Sequence, residues 1–200
     1  MHLGCSFCVD HACCCGSPVD TRGLHGLVCK QAPSRITRHH AVNDVIARSL
    51  TTAGVPVTKE PCGLTRTDGR HPDRLILSLW QAGKPLIWDV TVVSTLADSY
   101  VHLSSQSVDG AAEAAASRKT ATYADLPANH IFQPLAFETH GTTNSSAADF
   151  LNAVGGRSTT VPGDPRDMSF LWQGISVLLQ RFNAVLISET FVEPDDAPDL

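Results

Sequence analysis

The chain has 200 residues, a formal net charge of −5 and 42% hydrophobic residues. This composition can supply one ordinary domain with a sizeable core, so it excludes a globally disordered chain. No apolar run approaches the roughly 18 residues that cross a bilayer, and the start MHLGCSFCVDHACCC lacks the pattern of a secretory signal. We therefore predict an intracellular protein, nuclear or cytoplasmic, with no membrane partner.

Charge is spread unevenly along the chain. Residues 1–88 carry ten Lys and Arg against six Asp and Glu, a balance of +4, whereas residues 89–200 have a balance of −9. Residues 191–200 contribute to the acidic excess and have the composition of a disordered tail. The net charge argues mildly against a nucleic-acid partner, but a first half that faces DNA is compatible with this distribution.

Six of the seven cysteines lie within residues 1–29. Local clustering of thiols without a secretory signal favours a metal site over a disulfide framework. We predict a knuckle over residues 1–34 that a structural Zn²⁺ organises. Four residues offer the tetrahedral ligand set that zinc prefers: Cys13, Cys15, His25 and Cys29.

The register of these zinc ligands stays open. Cys14 lies between the first two, and three further residues can replace a ligand: Cys5, Cys8 and His11. The spacing Cys-x-Cys is also tighter than the usual two-residue gap, whereas His-x₃-Cys is typical of zinc sites. The alternative is a set of free thiols in a flexible start.

Hydrophobic spacing predicts a helix over residues 35–53, ended by Gly54. A short strand over 55–60 follows. Residues 73–80 and 85–93 are rich in branched and aromatic residues, and only four residues separate them. They therefore predict an antiparallel hairpin.

Four more elements complete the predicted order α-β-β-β-α-β-α-α in one α/β domain over residues 35–190. The strand that follows the hairpin contains Pro134, which places it toward a sheet edge. The short helix after that strand is predicted to close at Gly155-Gly156. The remaining predicted elements are a helix over 111–126, a strand over 131–139, a helix over 147–154 and a helix over 170–187.

Two carboxylates lie in the predicted hairpin. Asp73 opens its first strand, and Asp89 lies inside the second, on the face of Ile87 and Thr91. A buried carboxylate is costly unless something neutralises it. Two carboxylates with waters suit Mg²⁺, or Mn²⁺ in its place, and such an ion activates water for phosphodiester hydrolysis. The alternative is that each Asp is an ordinary turn or surface residue.

These motifs resemble those of a known superfamily. His71-Pro72-Asp73 followed by Trp88-Asp89-Val90-Thr91 resembles PD-(D/E)xK nucleases, and the predicted order resembles their α-β-β-β-α-β core. More narrowly, the chain resembles the restriction-enzyme-like endonuclease domain at the carboxyl end of non-LTR retrotransposon polyproteins, which follows a Cys-Cys-His-Cys knuckle. The matching residues are Cys13, Cys15, His25 and Cys29, then Arg38-His39, Pro72-Asp73, Asp89, and Lys119 with Tyr123.

The resemblance implies a metal-dependent DNA endonuclease that nicks target DNA for retrotransposon integration. Retrotransposon RNA and a reverse transcriptase module are the further partners it implies. The chain departs from the superfamily pattern at Thr91, where a lysine is usual. In the retrotransposon domains the lysine comes from the following helix, where Lys119 and Tyr123 lie one turn apart and share a face. The alternative for Lys119 is a solvated position.

Three basic residues at the start of the first helix are candidate phosphate contacts: Arg35, Arg38 and His39. The alternative is that they form the exposed first turn of the helix. Glu60 is a candidate third acid, which either completes the metal site or pairs with Lys59 or an arginine.

A second function stays open, namely a catalytically decayed zinc-knuckle module that binds nucleic acid. Thr91 in place of lysine and the net negative charge favour it, whereas the retained pair of Asp73 and Asp89 opposes it. A metal-stabilised protein-interaction domain ranks third.

Overall fold

The computed structural model describes residues 5–61, 63–65, 68–160, 164 and 166–191. A four-stranded mixed sheet lies at its centre, in the spatial order β3 (Val57–Lys59), β4 (Arg74–Ile76), β5 (Leu86–Val93) and β6 (Ile131–Glu138). β3 and β4 pair antiparallel, as do β4 and β5. β5 and β6 pair in parallel, with Leu86 opposite Ile131 at one end and Val93 opposite Glu138 at the other.

Helices cover both faces of the sheet. One face packs against a layer of three helices, and the other packs against a single helix, which a shorter helix contacts in turn. The five helices of the described residues are α1 (Ser34–Thr52), α2 (Val101–Gln106), α3 (Gly110–Thr122), α4 (Ser145–Thr160) and α5 (Asp167–Ser188). The start of the chain forms β1 (His11–Ala12), β2 (Pro18–Val19) and a 3₁₀ turn (Leu24–Leu27).

The side chains of β5 alternate as predicted. Trp88 and Val90 lie in the large core beneath α1, α4 and α5. Asp89 lies on the opposite side and faces α3, where Val93 packs against the alanines of that helix. The apolar stripe of α1 also follows prediction, because Val42, Ile46 and Leu50 are fully buried. The mixed α/β class and the α-β-β-β-α-β order are therefore confirmed, with α2 as an unpredicted insertion.

Three predicted boundaries are wrong, and the first is the end of α3, at Thr122 rather than at residue 126. β4 ends at Ile76 rather than at residue 80, because the chain leaves the ladder and closes the turn through the Trp80 N–H to Lys84 O bond. α4 does not close at Gly155-Gly156 but continues to Thr160. Gly155 has a packing role inside this helix, since a Cβ there would lie 2.8 Å from the Met168 side chain. Pro134 lies in an edge strand, as predicted.

α5 is the helix of the described residues that is long and apolar enough to cross a membrane, with a mean hydropathy of 1.3. Its buried stripe of Leu171, Ile175 and Leu179 belongs to the large core. The predicted acidic tail over residues 191–200 lies outside the described residues, apart from Phe191.

Glu138, the last residue of β6, has a buried carboxylate that contacts the start of α3. This carboxylate predicts a pH-dependent change in stability. Glu138 is 2% exposed, and its Oε1 accepts the Ala112 N–H at 3.1 Å. Burial raises the pKa of Glu138, and the charge of Asp109 adds to that rise. A raised folded-state pKa means that this group favours folding at low pH and loses that contribution as pH rises through the folded-state pKa.

We therefore expect Glu138→Gln to unfold at a higher temperature than the native chain at pH 7.5, with the difference shrinking as pH falls toward 4. Glutamine keeps an oxygen that accepts the Ala112 bond but carries no charge to desolvate. Thermal unfolding followed by circular dichroism across this pH range measures the difference. A difference that does not change with pH would show that the charge of Glu138 is not its cause.

Candidate active site and metal centre

Asp73 is held at the edge of the hairpin by three donors. It precedes β4, and its own N–H donates to Trp88 O at 3.1 Å. Its Oδ2 accepts the Val90 N–H at 2.6 Å and the Asn43 amide at 3.0 Å, and its Oδ1 lies 3.0 Å from His39 Nε2. Burial opposes ionisation, but these donors outweigh it and place the pKa of Asp73 below its usual range. The carboxylate is therefore ionised at neutral pH.

Asp89 lies one residue before Val90, so its side chain neighbours that of Asp73. It is 3% exposed. Lys119 Nζ lies 2.6 Å from Oδ1, and the Tyr123 hydroxyl lies 2.8 Å from Oδ2. Burial raises the pKa of Asp89, and the charge of Asp73 raises it further, against the opposing effects of Lys119 and Tyr123. The two carboxylates thus share one site with opposite pKa shifts.

α3 brings Lys119 and Tyr123 to the acids, the arrangement predicted from their shared helix face. Tyr123 is 4% exposed, and its hydroxyl is also 2.8 Å from the His71 carbonyl, a second acceptor for its single proton. The Lys119 side chain contacts Asp89 and is partly buried, with 31% of it exposed. The alternative of a fully solvated Lys119 does not describe this structure.

His39 lies within the acid site. A carboxylate can only accept hydrogen bonds, so the Nε2 atom that faces the ionised Asp73 carries a proton. Burial lowers the pKa of His39, but the bond to Asp73 and its charge raise it by more, to above its usual value. In this structure His39 orients Asp73.

The other two candidate phosphate contacts differ from each other. Arg35 is half-buried and donates to Cys29 O at 3.3 Å. Arg38 is 3% exposed, with Nη1 3.4 Å from Asn183 Oδ1, so it is not part of an exposed first turn. Burial lowers the pKa of Arg38 to about 10, and Arg35 contributes to the shift.

Glu60 has an exposed side chain. Its N–H donates to Asp73 O at 2.9 Å, which continues the strand ladder, but its exposed carboxylate pairs with Lys59 at 3.3 Å. Of the two alternatives for Glu60, the structure contains the pair with Lys59.

Asn43 is the site residue that the sequence analysis missed. Its amide donates to Asp73, and its Oδ1 accepts the Trp88 indole N–H at 2.9 Å. A signal was present, because Asn43 lies four residues after His39 and beside Val42 in the buried stripe of α1. A polar residue in an apolar helix face needs buried hydrogen-bond partners.

The four predicted zinc ligands lie together at the start of the chain. The ligand atoms of Cys13, Cys15, His25 and Cys29 are all within 4.8 Å of one another, close enough to bind one metal ion. Cys15 Sγ is 3.2 Å from His25 Nε2. Three Cys and one His form a common structural zinc set, so the donors fit this metal.

The alternative zinc ligands that the sequence left open lie outside the quartet. Cys14 is exposed, and Cys8 Sγ donates to Asp20 O at 3.2 Å. His11 has both ring nitrogens engaged, with Val9 O and Thr190 Oγ1. None of these joins the quartet among the described residues.

The three thiols of the quartet differ in the direction of their pKa shifts. Hydrogen bonds from Ser17 lower the pKa of Cys15 to about 6. Burial raises the pKa of Cys13 and that of Cys29. Because zinc binds thiolates, zinc binding at this site would release protons and would weaken as pH falls.

Comparisons with known proteins do not assign this site. A scan against protein-family models finds no family that matches the chain, and a search of curated proteins finds no match. The geometry of the chain's own residues therefore carries the functional argument.

Proposed function

We propose that the chain is a divalent-metal-dependent endonuclease of the PD-(D/E)xK type that cleaves DNA. The observation that carries the proposal is the contact of Lys119 with Asp89 across two elements, beside the ionised Asp73. Two acids and one lysine beside β5, an interior strand of the mixed sheet, are the groups that this chemistry needs. The α-β-β-β-α-β order around that sheet supports the assignment.

The acid pair fits Mg²⁺ or Mn²⁺. Among the described residues, buried Asp89 Oδ1 accepts no hydrogen bond of normal geometry, although Lys119 lies beside it. Mg²⁺ is commonly held by one or two carboxylates with waters filling its other positions. Asp73 and Asp89 would hold the ion. When bound, it activates water and neutralises charge on the phosphodiester.

The residues around the acids have separable tasks. His39, Asn43 and the Val90 N–H keep Asp73 ionised and oriented. Tyr123 holds Asp89 Oδ2 from the opposite side, which fixes the rotamer of that carboxylate. Lys119 supplies the positive charge that Thr91 cannot, and it would stabilise negative charge on the phosphate.

The target reaction that this proposal favours is nicking of DNA for retrotransposon integration. Support comes from the order of motifs, in which the Cys/His quartet precedes the acid pair and Lys119 follows it. A reverse transcriptase module and retrotransposon RNA would then act with the chain. The decayed binding module is the second candidate, and Thr91 is the residue that favours it. The position of Lys119 weighs against decay.

A nicking assay on supercoiled plasmid tests the proposal. We expect the zinc-loaded chain to nick in Mg²⁺ or Mn²⁺ and to stop when EDTA is added. Lys119→Ala should lower the rate by about 10²–10³, the usual loss when one group that stabilises transition-state charge is removed. Lys84→Ala is the matched control, because Lys84 lies in the hairpin turn and donates to Ala128 O.

Lys84→Ala is expected to nick like the native chain. A Lys119→Ala variant with native activity would refute the role of Lys119. A chain that binds DNA but does not nick it in Mg²⁺ or in Mn²⁺ would overturn the endonuclease proposal and leave the decayed binding module.

A further inference from the structure

A small cleft opens beside the acid site. Its volume is about 230 Å³, and its lining includes Arg70, Tyr100, Arg118 and Lys119, which we name the cationic cleft. Thr91 and Tyr123 complete the wall toward the acids. Lys119 and Tyr123 both contact Asp89. The cleft and the acid site therefore lie side by side and share two residues.

The charge of this cleft differs from that of the whole chain. Among the described residues that line the cleft, three side chains are cationic and none is a carboxylate, whereas the chain carries a formal net charge of −5. Arg70 has an exposed acidic neighbour in Asp68, at 3.8 Å. Exposed pairs of this kind are weak and salt-screened, so Arg70 can exchange Asp68 for another anion.

Arg118 is held in place before any ligand binds. Its guanidinium lies 4.8 Å from the centre of the Tyr100 ring, and its Nη1 donates to the Tyr100 hydroxyl at 3.0 Å. A planar guanidinium fixed in this way presents its remaining N–H donors in a geometry that matches phosphate oxygens. Preorganisation lowers the entropy lost on binding.

The size of the cleft indicates what it takes. Pockets for small-molecule ligands usually enclose about 300–1,000 Å³, so a cleft of about 230 Å³ suits a phosphate and its sugar better than a whole metabolite. Because the cleft lies beside the acid site and shares Lys119 and Tyr123 with it, a phosphate bound there can belong to the same strand as a phosphodiester held at Asp89.

We propose that Arg70 and Arg118 bind the backbone phosphate of a nucleic-acid strand next to the phosphodiester held at the acid pair. This inference rests on the proposed endonuclease function, because that function places a phosphodiester of the same strand at the acid pair. Contacts of this type position the substrate and carry no sequence information. They therefore set affinity and salt dependence, while Asp73, Asp89 and Lys119 act on the bond to be cleaved.

A binding experiment tests the cleft separately from cleavage. Fluorescence anisotropy of a labelled DNA duplex is measured in Ca²⁺, without chelator, over a series of salt concentrations. The variants are Arg118→Ala and Arg70→Ala. Arg48→Ala is the matched control, since Arg48 is an exposed arginine that lines a different cleft between α1 and α5. We expect each cleft variant to bind about tenfold more weakly and to lower the salt slope by about one.

Arg118→Ala replaces an exposed side chain on α3 with a good helix former, so it should fold normally. Arg118→Lys keeps the charge but loses the planar fork, and we expect it to bind with intermediate affinity. The control should bind like the native chain. Cleft variants that keep native affinity and slope would overturn the inference, as would a native chain that binds no DNA.

The two proposals fail in different ways. A native chain that nicks DNA, with cleft variants that bind normally, overturns the cleft alone. A native chain that never nicks, with cleft variants that bind more weakly, overturns the endonuclease and supports the cleft as a phosphate site.

Discussion

Asp89→Asn is expected to abolish metal-dependent nicking while leaving the domain folded and at least as stable as the native chain. The loss of activity follows from the loss of a carboxylate ligand. Changes to groups that merely support a metal ligand already cost about 10–100-fold, so we expect a loss of at least about 100-fold. Nicking rates on supercoiled plasmid in Mg²⁺ and Mn²⁺ measure it.

The stability half of this prediction follows from the raised pKa of Asp89. Burial is its main cause, and the charge of Asp73 is the second. A raised folded-state pKa means that ionised Asp89 opposes folding, with an effect that appears as pH rises through that pKa. Asparagine removes this charge and keeps an oxygen near the Tyr123 hydroxyl. The variant should therefore gain stability relative to the native chain as pH increases.

Asp98→Asn is the control for Asp89→Asn, because Asp98 is exposed in the segment after β5. It should nick and unfold like the native chain. If Asp89→Asn unfolds at a much lower temperature at neutral pH, the ion pair with Lys119 outweighs the burial cost. If it nicks at the native rate, the acid pair is not the catalytic centre.

Removal of metal from the Cys/His quartet should destabilise the whole domain. Cys13 and Cys29 form a small core with Leu186 of α5. A Cβ at Gly26 would lie 2.8 Å from Ile187 Cα, so the knuckle packs tightly on that helix. Arg35, at the start of α1, donates to Cys29 O. A quartet without metal would release these contacts at the ends of two core helices.

We expect His25→Ala to lose bound zinc and to lower the free energy of unfolding by about 4 kcal/mol or more, as is typical when a structural metal is lost. Metal content by mass spectrometry and thermal unfolding with and without chelator measure both effects. Cys14→Ser is the matched control, because this exposed neighbour lies outside the quartet. A His25→Ala chain with native zinc content and stability would contradict the assignment of the quartet.

Much of the acid site could be predicted because its signals are local in the chain. Side chains alternate along a strand, so the apolar neighbours of Asp89 already place it on a defined face of β5. Lys119 and Tyr123 lie four residues apart on a helix, so if one of the two side chains contacts the acids, the other is expected to contact them as well. The structure confirms that these residues meet, while their catalytic roles remain a proposal.

The role of His39 illustrates what local signals leave open. Its position beside Arg38 at the start of α1 predicted a phosphate contact, yet its ring lies against Asp73. Neighbouring residues on a helix point about 100° apart, so Arg38 turns to Asn183 of α5 instead. Only the packing of α1 between the sheet and α5 decides which partner each side chain reaches.

The sequence by itself determined the α/β class, the buried faces of the main helices and strands, and a Cys/His cluster at the start of the chain that can bind metal. Hydrophobic period and ligand spacing are properties of short segments, so they can be read without a fold. Tertiary structure alone decided which cysteines join the quartet, that α4 continues through Gly155, and that Asn43 links Asp73 to Trp88. Each of these depends on contacts between segments far apart in the chain, and no local pattern encodes such distances.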